Sequence, residues 1–216
     1  METSFDIDDF YNILKEASAR SASDIFISPG VPVYWRIAGR LSALPEYVAD
    51  METISKIFTV VADENIRKRF ICQREADFAW EYDGIRYRIH LYSRLGQAAF
   101  AVRVLPRVVP SLKELGQAEK VMAFLPYENG LFLVTGATGS GKTTTVAAML
   151  AEYNQNWDYH VLTLEDPVEY MYPSGRCLFN QQELGKDFLD YRQGIISAMR
   201  ENPDVIMIAE LRDGGT

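Results

Sequence analysis

Behind an acidic start, apolar side chains fall at Phe5, Ile7, Phe10, Tyr11, Ile13 and Leu14, and that spacing predicts a helix ending near Arg20. The period then shortens. Residues 24–28, 33–37 and 39–41 are brief apolar stretches parted by Pro29-Gly30 and Gly39, which predict short strands and a hairpin. Helical spacing returns over residues 50–72, with Asp63 placed to cap a second helix inside that stretch. Residues 76–82, 86–92 and 98–105 are rich in aromatic and β-branched side chains and are separated by Asp83-Gly84 and Leu95-Gly96. The first half therefore reads as a β-meander packed on helices.

Pro106-Arg-Val-Val-Pro110 interrupts any regular element, so a linker is placed at 107–117, between a first domain at 1–106 and a second at 118–216. Beyond it the pattern changes. An apolar strand is expected at 130–135, then a helix at 142–153, a strand at 160–164, a helix at 189–200 and a strand at 204–209. Alternating strand and helix means a mainly parallel sheet with helices on its faces. The fold class expected is α/β, an α+β domain followed by a parallel-sheet domain.

Composition narrows the classes of partner. Thirty acidic against 22 basic side chains leave a net charge of −8 on 216 residues, with 48% apolar positions. That is globular composition, and it argues against disorder, coiled coil and collagen. The acidic balance disfavours nucleic acid and anionic membrane surfaces, which reward a basic field. Cys72 and Cys177 form no CxxC pair, so neither a disulfide framework nor a thiolate metal site is expected. The acidic N-terminus lacks a signal-peptide pattern, and no apolar run reaches the ~18 residues of a membrane helix. A soluble cytoplasmic protein is expected. His90 and His160 lack metal-ligand spacing, and structural roles are expected for both.

Gly136-Ala137-Thr138-Gly139-Ser140-Gly141-Lys142-Thr143 satisfies GxxxxGK[ST] directly after an apolar strand and at the start of a helix. Glycines let backbone N–H groups turn inward around phosphates, and the helix N-terminus adds its positive dipole. Lys142 is placed for the β- and γ-phosphates, Thr143 for Mg²⁺, and Thr144 completes the nucleotide-binding stretch. ATP and Mg²⁺ are the expected cofactors. A phosphate loop alone does not separate kinase, GTPase and motor. No Asn-Lys-x-Asp guanine reader and no basic lid segment occurs downstream of it, which weakens the first two.

The downstream strand ends are acidic instead. Glu165-Asp166-Pro167-Val168-Glu169 closes the second predicted strand of the sheet, where open α/β sheets place ligand groups. Taken alone, this segment also fits a helix cap or a solvated turn. Asp204-Val-Ile-Met-Ile-Ala209-Glu210 is an apolar strand ending in a carboxylate, and Glu210 is positioned to orient a water for in-line attack on the γ-phosphate.

These blocks, with Asn180-Gln-Gln-Glu183 and Arg200-Glu-Asn-Pro-Asp204, resemble the successive boxes of the type II/IV secretion ATPases. Within that family the chain looks most like the PilT-like motors that retract type IV pili. Ala22-Ser-Asp-Ile25, Ser28-Pro-Gly-Val-Pro32 and Arg36-Ile-Ala-Gly-Arg-Leu41 are similar to the family's opening Ala-Ser-Asp block. The resemblance implies a PAS-like N-terminal domain and a RecA-like P-loop domain. It also implies a catalytic Glu210, and metal and water organisation by Glu165 or Glu210 through water. Arg88 and Arg103 match arginines that the family uses to reach the γ-phosphate; their bland alternative is an outward arginine on a solvated sheet face. As partners it implies five further copies in a homo-hexamer and a pilus platform membrane protein, with the ring at the cytoplasmic face of the inner membrane.

Several positions depart from the family pattern. Phe26 stands where His is frequent, Leu95 sits between Arg94 and Gly96, Ile196 replaces an arginine, and Ala209 replaces a glycine. The family also continues past Arg212-Asp213 into a His box and a helical domain, so the second domain is expected to be incomplete. The rivals are a nucleotide-binding module without turnover, a small-molecule kinase, and a secretion or conjugation ATPase of the same superfamily.

Overall fold

Asp6 opens the first helix, α1 (Ile7–Ala19), by accepting hydrogen bonds from the N–H groups of Asp8 and Asp9, while Asp9 accepts from the N–H of Asp6. This reciprocal cap satisfies amides that would otherwise lack partners. The computed structural model describes residues 5–116, 118–137 and 139–210. It divides into two units, Met1–Leu105 and Pro106–Thr216.

In the first unit, α1 is followed by β1 (Ala22–Ile27), β2 (Pro32–Ile37) and β3 (Arg40–Val48), then α2 (Met51–Val61) and α3 (Glu64–Gln73). The meander β4 (Glu75–Tyr82), β5 (Ile85–Arg94) and β6 (Gln97–Val104) completes it. Asp63 caps α3 through the N–H of Ile66 at 2.8 Å, as its position foretold. The strands form one antiparallel sheet in the order β3-β2-β1-β6-β5-β4. Asp83-Gly84 and Leu95-Gly96 take positive φ at both positions, the hairpin geometry that matches strand twist. Alternation sorts the two faces. Ile25, Tyr87, Ile89, Phe100 and Val102 point inward to meet Phe10, Ile13 and Leu14 of α1 in one continuous core. The opposite face is polar.

Strand β3 runs to Val48, well beyond the 39–41 expected, because its ladder with β2 continues to Pro32↔Val48 across a bulge. Pro45 is tolerated there since β3 is an edge strand.

The second unit holds α4 (Ala118–Val121), α5 (Lys142–Asn156), β7 (His160–Glu165), β8 (Leu178–Glu183), α6 (Tyr191–Ala198) and β9 (Val205–Ile208). Its sheet, in the order β8-β7-β9, is parallel throughout. Central β7 is buried from Val161 to Glu165, as a strand covered on both faces should be. Leu112, Val121 and Leu125 pack with Ala148 and Met149 of α5, while Leu162, Leu164, Phe188 and Ala198 form a separate cluster.

One sequence expectation fails here, and one strand was not foreseen. Residues 130–135 form no strand, and Leu131 is 83% exposed. The run is apolar enough for a buried strand, but no ladder forms on it, and a strand takes its stability from neighbours rather than from composition. Conversely β8 is a strand despite the polar run Asn180-Gln181-Gln182-Glu183, which carries no strand pattern of its own. Its place is fixed by six register pairs with β7, from His160↔Leu178 to Glu165↔Glu183. Among the described residues, no helix is long and apolar enough to cross a membrane.

Candidate functional site

The loop before α5 turns on two glycines. A Cβ on Gly136 would come within 2.6 Å of Ser140 Oγ, and the backbone there has φ 158°, which side chains rarely adopt. Gly141, at φ 90°, stands at the N-cap of α5 and offers no side chain to the first-turn amides. Those amides and the helix dipole are left for an external anion, and the first turn carries no acidic residue to oppose one. Lys142 curls back, its Nζ donating to the carbonyls of Gly136 and Ala137 at 2.9 Å each. Ala137, Gly139 and Ser140 form the exposed rim of the loop, and the N–H of Ser140 reaches the Ala137 carbonyl at 3.2 Å. Thr143 and Thr144 lie in the first turn of α5. Thr138 lies outside the described residues.

The carboxylates sit at one edge of the parallel sheet. Glu165 ends β7, is 5% exposed, and accepts from Thr163 Oγ1 at 2.7 Å and Gln181 Nε2 at 3.2 Å. Burial pushes its carboxyl above the ordinary glutamate range, and these hydrogen bonds work against that rise. The β7–β9 ladder pairs Leu164 with Ile208, and the N–H of Ala209 continues it to the Leu164 carbonyl at 2.9 Å. Glu210 therefore follows the end of the strand next to the one that ends in Glu165. The chain after β7 folds back beside the sheet, where the N–H of Val168 donates to buried Glu183 at 3.2 Å.

Arg88 and Arg103 are direct register partners on the polar face of the antiparallel sheet. Arg88 Nε contacts both carboxylate oxygens of Asp77, at 3.1 and 3.2 Å, and its Nη2 adds a further bond. Arg103 Nε donates to Asp24 Oδ1 at 3.2 Å, and the other Asp24 oxygen lies 3.6 Å from Arg36 Nε. Asp24, Asp77, Arg88 and Arg103 line a cavity of about 250 Å³ together with His90 and Ala101. The arginines are paired across a shared face rather than solvated singly. The sequence reading missed their partners Asp24 and Asp77; strand alternation, which puts both on the outward face, was the available signal.

Neither histidine gathers metal ligands among the described residues. His160 Nε2 lies 2.9 Å from Asn180 Nδ2, and His90 stacks on Tyr92 with ring centroids 5.6 Å apart. Cys72 and Cys177 are unpaired thiols.

A glycine loop opening a helix, and carboxylates ending adjacent parallel strands, leave many P-loop families open. The whole-chain pattern decides among them: residues 3–216 match the model of the family described as type II/IV secretion system protein. The chain belongs to that family. Among members of the type II/IV secretion family, the uncharacterized protein YggR of Escherichia coli K12 is 41% identical over 91% of this chain and 60% of its own length. The type IV pilus retraction ATPase PilT of Pseudomonas aeruginosa is 34% identical over 95% of this chain and 60% of its own. A crystal structure of the pilus retraction motor PilT with bound ADP superposes with a TM-score of 0.91 at 36% identity, covering 99% of this chain and 62% of that one. The family fold, an antiparallel N-terminal sheet followed by a parallel-sheet unit, is thus the one seen here. The chain spans about three fifths of the length of these relatives.

Proposed function

We propose that this chain is an ATP-binding and ATP-hydrolysing subunit of a type IV pilus motor, working in retraction as part of a hexameric ring. The observation that supports the reading is the start of α5 at Gly141, where the first-turn amides have no side-chain cap and Lys142 lies over the Gly136 and Ala137 carbonyls. Gly136, Ala137, Thr138, Gly139, Ser140 and Gly141 would surround the β- and γ-phosphates, Lys142 would exchange its loop carbonyls for phosphate oxygens, and Thr144 would complete the first turn. The threonine hydroxyls at this helix start are oxygen donors, which suit a hard cation carried in on the nucleotide. Among the described residues, no cluster of three or more His, Cys, Asp or Glu could hold a metal by itself. Thr143 would hold Mg²⁺ directly, with Glu165 or Glu210 reaching it through water. When bound, Mg²⁺ neutralises charge that develops on the transferred phosphoryl group.

Glu210 would orient the attacking water and Glu165 the hydration around it. Arg88 and Arg103 would supply guanidinium charge to the γ-phosphate. The 34% identity to a pilus retraction ATPase supports the choice of motor. A cytoplasmic ring held at the inner membrane by a pilus platform protein is the corresponding assembly, consistent with a net charge of −8 that suits protein rather than nucleic-acid partners.

Mg²⁺-dependent phosphate release from ATP by the purified chain tests the reading. Glu210→Gln should lower it by about 100-fold or more while nucleotide binding persists, and Lys142→Ala should abolish binding. Binding without turnover in the unaltered chain would favour the second reading, a nucleotide-binding module. The exposed, unpaired 130–135 segment beside the loop is what recommends that alternative.

A further inference from the structure

Strand β8 brings Gln181 to a point where three parts of the second unit meet. Its amide nitrogen donates to Glu165 Oε1 at 3.2 Å and to the Tyr170 carbonyl at 2.8 Å, and its amide oxygen accepts from the N–H of Tyr172 at 3.4 Å. Both amide hydrogens and the amide oxygen are thereby engaged, which leaves one orientation for the group. Tyr170 is 7% exposed, and its hydroxyl donates to Thr144 Oγ1 in the first turn of α5 at 3.4 Å. The result is a continuous path from the helix start after the glycine loop, through Tyr170 and Gln181, to the carboxylate ending β7.

The sheet itself does not need this amide. β8 is held to β7 by its backbone ladder from His160↔Leu178 to Glu165↔Glu183, which any side chain at position 181 would leave in place. What the amide adds is a second donor on Glu165 Oε1, beside the Thr163 hydroxyl at 2.7 Å. Two donors converging on one oxygen set the rotation of the carboxylate.

We propose that Gln181 is a positioning residue that, through Tyr170, couples occupancy of the glycine loop to the placement of Glu165. This rests on the nucleotide-binding reading above. A triphosphate on the loop immobilises the first turn of α5. The Thr144 hydroxyl then holds Tyr170, the Tyr170 carbonyl holds the Gln181 amide, and the amide fixes Glu165 for its work on water.

Hydrogen exchange of the chain with and without Mg²⁺-ATPγS tests the coupling. In the unaltered chain the nucleotide should slow exchange about tenfold both in the first turn of α5 and in residues 168–172. In Gln181→Leu, and independently in Tyr170→Phe, which removes one oxygen and leaves the packing, the helix turn should still be protected while 168–172 changes less than about twofold. Exchange in β7 and β9 should match the unaltered chain, which a merely structural role for Gln181 would not allow. Protection of 168–172 that survives both substitutions, or protection confined to the helix turn in the unaltered chain, overturns the coupling and leaves nucleotide binding intact. No protection at either place overturns the nucleotide-binding reading, and the coupling with it.

Discussion

The two units solve the same problem, burying apolar strands, with opposite strand directions. In the first, hairpins at Asp83-Gly84 and Leu95-Gly96 join β4 to β5 and β5 to β6, β1 pairs with β6 across the middle of the sheet, and one core runs unbroken from Phe5 to Val102. In the second, the strand pairs among the described residues are parallel, and each requires a crossover. Its core is accordingly split into small clusters, and Leu131, Leu133 and Met199 are 83%, 59% and 70% exposed. Six antiparallel strands bury one continuous core, whereas three parallel strands leave theirs in separate pieces.

This contrast can be broken by substitutions of graded severity. The largest effect is expected from Phe100→Ala at the centre of the first sheet, which should cost about 3–5 kcal/mol through lost burial and a cavity. Denaturant unfolding followed by Trp35 and Trp80 fluorescence would register it, while Trp157 in the second unit should report an unchanged midpoint. If both signals shift together, the units unfold as one and the contrast fails. Next comes Asp63→Ala, which removes the cap of α3 and should cost about 1 kcal/mol in the same measurement.

Glu165→Gln should act in the other direction and only in the second unit. Burial raises the carboxyl's folded-state pKa above its unfolded value, so its contribution is fully present below the unfolded pKa and is lost as pH rises through the folded one. The amide replacement should therefore match the parent at acid pH and gain stability over it toward neutrality. A constant difference across the titration, read by Trp157 in metal-free buffer, would sink this account. The smallest effect belongs to Leu131→Ser, which should stay within about 0.5 kcal/mol because the side chain is already in water. A loss of several times that would mean that the 130–135 segment is buried in solution.

The same contrast explains what could be read from the residues alone. Asp6, Asp63, Asp83-Gly84 and Leu95-Gly96 carry their instructions locally, so the helices, the caps and the meander of the first unit were legible. The glycine loop was legible too, because Gly136 and Gly141 are demanded by backbone geometry that no neighbour has to supply. β8 was not, since Asn180 to Glu183 become a strand only by lying along β7. Nor was Gln181, whose significance depends on Tyr170 and Glu165 converging on one amide from separate stretches of chain. Glu165 and Glu210 lay between these cases: strand ends could be foreseen, whereas their adjacency required the ladder that matches Leu164 with Ile208.

Asp24 accepts from Arg103 on one oxygen and faces Arg36 across 3.6 Å on the other. One carboxylate with two cationic neighbours has a built-in substitute. Were Arg103 removed, Arg36 would remain beside Asp24, so the carboxylate would not be left without a cationic neighbour. Arg88 is held differently, because its departure would strip Asp77 of a chelating partner. Of two arginines side by side in one ladder, Arg88 has the firmer hold on its carboxylate and Arg103 the looser one.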